Sequence, residues 1–189
     1  MRSYLSEVRG ILDEAVKWAE EAAALDRLRP NTYLVLGYLL YVAGRYNEAQ
    51  AELQKALDLN PQAAFVHVTL GKILIAQGKP RQALAEIEKE PNGWGELTGQ
   101  GLVYDALGRE LDSIAALAEL IAKHDADSAY QIAQVYAFRD ESGKSFEWLE
   151  RAYKQRDAGL SEINTDPLLK NLRHDPRYTE LLKKMRLHT

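Results

Sequence analysis

The chain contains no cysteine, which excludes a disulfide framework, a thiolate metal site and a cysteine nucleophile. It has no apolar run near the ~20 residues that a membrane-spanning helix needs. Its first residues, MRSYLSEVRG, contain neither an apolar targeting core nor a small-residue cleavage site. Positive charge is not in excess: 24 Lys and Arg face 28 Asp and Glu, for a formal net charge of −4. That balance argues against a general nucleic-acid binder or a protein held on anionic membrane. The histidines, His67, His124, His174 and His188, are scattered, and no two share a helix at ligand spacing. Acid pairs such as Asp13/Glu14 and Glu20/Glu21 are adjacent in sequence and point to different sides of a helix. No nucleophile elbow or oriented base is present. The expectation is a cytoplasmic protein with no catalytic residues, no metal site and no cofactor.

What the chain does have is periodicity. Residues 31–61, NTYLVLGYLLYVAGRYNEAQAELQKALDLNP, hold a Leu36-Gly37 pair, a second glycine seven residues later at Gly44, and then Tyr46, Ala49, Leu53, Ala56 and Pro61. A shift of 34 brings Leu70, Gly71, Gly78, Ala83 and Ile87 into the same slots, and a further shift of 30 brings Gly101 and Gly108. A period of this size signals an array of helix–turn–helix units, each burying its apolar face against the next. With 46% hydrophobic and 28% charged residues, a continuous core and solvated outer faces can both be built.

The units divide as follows. Residues 3–27 read as one long helix with an apolar stripe of Tyr4, Leu5, Val8, Leu12, Ala15, Trp18, Ala19, Ala22 and Leu25. Residues 1–29 are thereby a partial repeat whose first helix is fused or missing. Four units follow at 30–61, 62–91, 92–125 and 126–157, and a cap at 158–189, all within a single domain. Pro80 opens the second helix of the second unit, and Glu90-Pro91 ends it early. The glycine-rich run from Gly93 to Gly101 follows no strand and lacks a Gly-Lys-Ser/Thr ending, so it is no phosphate loop. It reads instead as a loose junction where the array bends. In the fourth unit Ala133 takes the glycine slot, and the turn reads as lengthened over residues 139–143. Asp166-Pro167 and Asp175-Pro176 each join an N-cap acid to a first-turn proline, predicting short helices over 167–172 and 176–186. The basic residues of this tail, from Lys170 to Arg186, read as a solvated helix end.

The residues Tyr33, Leu36, Gly37, Leu40, Gly44, Tyr46, Ala49, Leu53, Ala56 and Pro61 resemble the tetratricopeptide repeat family. The second unit fits at Leu70, Gly71, Leu74, Gly78, Ala83 and Ile87, but carries Glu90 where a small residue is expected. The third fits at Gly101, Tyr104, Gly108 and Leu117, with Ser113 in place of alanine. The resemblance covers about residues 10–157. It implies an all-α fold, a right-handed α-solenoid of antiparallel helix pairs with C-terminal capping helices. It also implies a non-catalytic scaffold that holds a peptide or helix of a protein partner in a groove lined by the first helix of each unit. The groove positions are Leu34, Tyr38 and Tyr41 in the first unit, and Phe65, Val68, Lys72 and Ile75 in the second. In the third they are Thr98, Leu102 and Asp105; in the fourth, Tyr130, Gln134 and Ala137, with Phe138 adjacent. The Lys and Asn set with which some relatives clamp a terminal carboxylate is absent, so an apolar peptide or helix is expected. The stretch GKSFEWLERAYKQRDAGL, with the tail that follows, is similar to bacterial repeat regions found after winged-helix, nucleotide-cyclase or kinase domains. That implies the sensing part of a larger regulatory protein. The alternative is a homo-oligomer joined through the terminal helices.

Overall fold

In the computed structural model, which describes residues 2–91 and 93–187 with side chains from Gly10 onward, the described residues form helices and turns and no strand. His188 and the side chains of Tyr4, Leu5 and Val8 lie outside them. The helices are α1 (Arg2–Leu25), α2 (Pro30–Val42), α3 (Tyr46–Leu59), α4 (Val66–Ala76), α5 (Pro80–Ile87), α6 (Gly93–Ala106), α7 (Glu110–His124), α8 (Ala129–Phe138) and α9 (Ser142–Gln155). Two 3₁₀ segments, Ala158–Glu162 and Pro167–Leu172, and a last helix α10 (Pro176–Lys184) complete the chain. The first 3₁₀ segment has no counterpart in the sequence reading. The chain divides into two compact units, Met1–Gly99 and Gln100–Thr189, with α6 running through the division. The architecture is the α-solenoid class of paired helices.

Each pair closes on the same two contacts. Twelve residues after the small residue of the first helix comes a small, fully buried residue of the second: Gly37 with Ala49, Gly71 with Ala83, Gly101 with Ser113, Ala133 with Ser145. Sixteen residues on comes a buried aliphatic: Leu53, Ile87, Leu117 and Leu149. The helices approach so closely that a Cβ at position 37 would lie 2.6 Å from Leu53 Cγ, and one at position 71 would lie 2.5 Å from Ile87 Cγ1. Where serine replaces alanine its hydroxyl is satisfied on the facing backbone: Ser113 Oγ donates to Gly101 O at 2.7 Å and Ser145 Oγ to Ala133 O at 2.8 Å. A buried hydroxyl without such an acceptor would be costly.

The turns repeat as well. Gly44, Gly78 and Gly108 adopt φ of +75°, +72° and +70°. In each the next residue's N–H reaches back five residues and the glycine's own N–H reaches back three, the paired C-terminal motif that glycine favours. The fourth turn is the same length, which corrects the expected insertion. Asp140 takes the left-handed position at φ +57°, the same two hydrogen bonds form, and α9 opens at Ser142. Aspartate tolerates this conformation better than most residues. Its Oδ1 also accepts from Asn171 Nδ2 at 2.9 Å.

Two further expectations are corrected. The run Gly93–Gly101 is not a loose junction but the body of α6. A Cβ at position 99 would meet Ile87 Cγ2 at 2.8 Å and one at 101 would meet Val135 Cγ1 at 2.9 Å, so these glycines answer close packing. In α1 the buried column is Val16, Ala19 and Ala23 with Leu12 half-buried, whereas Trp18, Ala22 and Leu25 face outward. The helix carries two apolar columns, and hydropathy alone does not say which one meets the body.

The caps at Asp166 and Asp175 form as expected, accepting from Leu168 N–H and Arg177 N–H, and Asp157 likewise accepts from Gly159 N–H. α10 is held further by the Arg177 guanidinium lying 4.3 Å from the Phe146 ring centroid.

Gly37→Ala is expected to lower stability by roughly 1–3 kcal/mol through overpacking against Leu53, despite alanine's better helix propensity. Gly10, in the interior of α1, has open space where a Cβ would stand. Gly10→Ala is therefore expected to raise stability by roughly 0.5–1 kcal/mol. Urea unfolding of the two variants side by side checks both signs. At the other end, hydrogen bonds from the Arg177 side chain and backbone hold the Asp175 carboxyl down to about 2. A depressed folded pKa means its contribution is complete above the usual carboxylate value and is lost as pH falls from about 4 to about 2. The difference in melting temperature between the native chain and Asp175→Asn is expected to shrink through that window; a difference independent of pH there would refute it.

Candidate functional site

The groove positions fall into two sets, one in each unit. In unit Met1–Gly99 the neighbouring first helices α2 and α4 present half-buried Leu34 and Tyr38 on one side and half-buried Lys72 and Ile75 on the other, with half-buried Phe65 at the head of α4. Tyr38 leans on the ring of Tyr41 at 6.1 Å between centroids, and Tyr41 in turn on Tyr46 at 6.3 Å. Tyr41 itself is only 2% exposed. It belongs to the core that supports Tyr38 and has no surface for a partner. Val68 and Thr98 are buried too, and Thr98 Oγ1 is spent on Trp94 O at 2.6 Å.

In unit Gln100–Thr189 the outcome differs. Asp105 and Phe138 are half-buried, but Leu102, Tyr130, Gln134 and Ala137 are interior. For Tyr130, Gln134 and Ala137 the reason is the C-terminal segment, whose two 3₁₀ turns pack on α8. Asp166, 1% exposed, accepts from Tyr130 Oη at 2.9 Å and from Gln134 Nε2 at 2.6 Å on one carboxylate oxygen, and from Leu168 N–H on the other. Gly159 lies on the Tyr130 ring so closely that a Cβ there would stand 2.5 Å from Cδ1. The chain's own tail thus occupies the positions that the sequence reading assigns to a ligand. Asp105 faces Arg139, 3.6 Å away, whose guanidinium also bonds Glu141 and Ser113 Oγ. Burial pushes the Asp105 carboxyl above its ordinary value, the attraction of Arg139 notwithstanding.

The head of α4 holds residues that sequence reasoning passed over. Phe65 sits in the left-handed region at φ +69°, a conformation that costs a non-glycine residue on the order of 1–2 kcal/mol. Glu90, only 4% exposed, compensates from the end of the unit: its two oxygens accept from Phe65 N–H at 2.8 Å and Val68 N–H at 3.1 Å. A carboxylate on the first N–H groups of a helix also meets the positive end of its dipole. The Phe65 ring then stacks on Trp94 with centroids 4.6 Å apart. The one legible signal was Glu90 itself, a charge where the repeat expects a small residue. The opposite side of α4 borders a cavity of about 450 Å³ lined by Gln50, Gln54, Leu70, Leu74, Gln82, Ala85 and Glu86. Burial raises the Glu86 carboxyl, but hydrogen bonds from Lys89 and His67 outweigh it and leave the group below its ordinary value. Among the described residues no three His, Asp or Glu converge as a metal site, and no helix is long and apolar enough to cross a membrane.

Glu90→Ala would strand the buried Val68 N–H and the part-buried Phe65 N–H, at a cost of about 1–3 kcal/mol. The local readout is amide hydrogen exchange, expected to accelerate at Phe65 and Val68 before the rest of the chain; unchanged protection there would overturn the capping role.

Residues 9–90 match the model of a family described as anaphase-promoting complex, cyclosome, subunit 3, a match that spans less than half of the 189 residues. No curated protein sequence matches the chain. Among solved structures, PilW, described as a widely conserved type IV pilus biogenesis factor, is 15% identical with a TM-score of 0.56, covering 98% of this chain and 90% of its own. A MamA structure is 19% identical with a TM-score of 0.52, covering 79% and 91%. MamA 41-end from Desulfovibrio magneticus RS-1 is 19% identical with a TM-score of 0.51, covering 82% and 90%. At such identities the likeness is one of fold. The family match is confined to residues 9–90, and the likeness to the solved structures is in their fold.

Proposed function

We propose that unit Met1–Gly99 is a non-catalytic scaffold that binds an apolar peptide or helix of a protein partner across α2 and α4. The observation that carries this reading is the row of Leu34, Tyr38, Phe65 and Ile75, aliphatic and aromatic groups half-buried on adjacent first helices with Lys72 among them. Half-buried rings on a rigid helical surface bury much area at low entropic cost when a partner covers them. Asp105 and Phe138 form a smaller set in unit Gln100–Thr189, where the tail covers the remaining positions. The wider reading is a cytoplasmic sensing part of a larger bacterial regulatory protein. What supports it is the likeness of the segment from Gly143 onward to the ends of bacterial repeat regions.

The test is selection of peptides from a displayed random library on the native protein, followed by affinity measurement on the Tyr38→Ser/Ile75→Ser form. Loss of an aromatic anchor is expected to weaken binding roughly tenfold or more, with the circular dichroism spectrum unchanged. Leu111, exposed on α7, supplies a control, and Leu111→Ser is expected to bind as the native chain does. Equal affinity in the native and doubly substituted forms would sink the reading.

A further inference from the structure

The cleft between α3 and α5 is walled by carboxamides. Its floor is Leu70 and Leu74 of α4, 8% and 7% exposed, and the space above them is about 450 Å³, within the roughly 300–1,000 Å³ of ordinary ligand pockets. Gln50 and Gln54 line one wall, four residues apart on α3, and Gln82 and Glu86 line the other, four apart on α5. Glutamines scattered over a surface and bonded to water need no explanation. Here they converge from two helices on one apolar floor.

The hydrogen bonds made within the chain determine what each wall has left to offer. Glu86 is spent: its Oε1 accepts from Lys89 Nζ at 2.8 Å and its Oε2 lies 3.0 Å from His67 Nδ1. Gln50 Oε1 accepts from Gln77 Nε2 at 3.4 Å, which leaves the Gln50 amide N–H groups. Gln54 Nε2 donates to Asp58 Oδ1 at 2.9 Å, which leaves the Gln54 carbonyl oxygen. The Gln82 carboxamide has no partner among the described residues. The cleft thus presents neutral donors and acceptors over an aliphatic floor. A charged ligand group would lose its water there without gaining a counter-ion.

The spacing of the amides narrows the ligand further. At ~1.5 Å per residue Gln50 and Gln54 stand about 6 Å apart along α3. In an extended chain, residues i and i+2 stand about 6.6–6.8 Å apart and present their N–H and C=O groups on the same edge. Residue i then accepts from Gln50, and residue i+2 donates to Gln54. The residue between them turns its own N–H and C=O toward Gln82 on the other wall, and its side chain stands on Leu70 and Leu74. We propose that the α3–α5 cleft is a second binding site, which takes an extended, uncharged peptide segment with one aliphatic side chain seated on Leu70 and Leu74. It shares no residue with the row of Leu34, Tyr38, Phe65 and Ile75, so it stands or falls independently of the reading above.

The probe is the capped tripeptide N-acetyl-Ala-Leu-Ala N-methylamide, titrated into nitrogen-15-labelled protein. The side-chain amide resonances of Gln50 and Gln82 are expected to shift and to saturate. An analogue with an ester in place of the amide between leucine and the second alanine lacks the N–H that donates to Gln54. It is expected to bind about fivefold more weakly or worse. The Gln50→Leu/Gln82→Leu protein is expected to lose affinity for the tripeptide by a similar factor, with its circular dichroism unchanged. No saturable shift, or equal affinity for the ester or in the substituted protein, would overturn the proposal. N-methylacetamide binding as tightly as the tripeptide would mean an amide site and not a peptide site, and would overturn it too. Shifts at Tyr38 and Ile75 with the glutamines unmoved would place the tripeptide on the α2–α4 surface, which overturns this proposal and spares the other.

Discussion

The structure depends on how closely the two helices of each pair can approach. A glycine or alanine in the first helix faces a small residue twelve positions later, and that contact lets the aliphatic residue at sixteen seat itself against the first helix's backbone. At Gly37 and Gly71 the separation leaves no space for even a methyl group. Glycine in a helix interior costs about 1 kcal/mol relative to alanine, and the buried Leu53 and Ile87 that it admits offset this, each worth about 1.5–3 kcal/mol. The turn between the helices follows from the same constraint. A crossing this close leaves only a short connection, and the left-handed residue at 44, 78, 108 and 140 reverses the chain in it. The proposed binding surface is what remains on the far side of the first helices.

Much of this was legible in the sequence because it depends on residue types at fixed spacing. The 34-residue period, the three glycine turns, proline at the start of α5 and the aspartate caps at 166 and 175 are local signals, each tied to one backbone conformation. The readings that failed involve a choice between near-equivalent partners. In α1, Trp18 and Leu25 were assigned to the buried face, yet Val16 and Ala23 hold it. Alanine and leucine on two adjacent columns make the hydropathy pattern degenerate, and the shape of α2, on which α1 packs, decides between them. Asp140 was placed in the turn but not at its left-handed position, because aspartate takes that conformation less often than glycine, and Asn171, which supports it, lies 31 residues away.

The candidate site was legible in outline and not in exposure. Position within the repeat places Tyr38, Tyr41, Lys72 and Ile75 on first helices, but it does not say which of two neighbouring tyrosines stands on top. Tyr41 is wedged between Tyr38 and Tyr46, so its ring supports the surface that Tyr38 forms. Tyr130 and Gln134 were lost as ligand positions for a different reason. Their polar ends reach a carboxylate more than thirty residues later, a pairing that no periodicity encodes.

Two carboxylates that follow the second helix of a pair, Glu90 and Asp157, carry the same physical logic. α4 and α8 begin with Phe65 and Ser128 as N-cap residues, and neither side chain caps its own helix. Each helix takes an acceptor from the residues that follow its partner helix: Glu90 bonds Phe65 and Val68 N–H, and Asp157 bonds Tyr130 N–H at 3.0 Å. α2 opens with proline, which has no N–H to satisfy at its first position, and no such carboxylate follows α3. A proline at the start of the first helix and a carboxylate after the second therefore solve one problem, the unpaired donors at the head of the first helix, from opposite ends of the unit. Choosing the acid has a consequence for the surface. A carboxylate that must reach the head of α4 holds Phe65 in its left-handed turn and its ring against Trp94. The aromatic edge of the proposed binding surface is thus set by a capping requirement, and a chain that restored a small residue at 90 would release it.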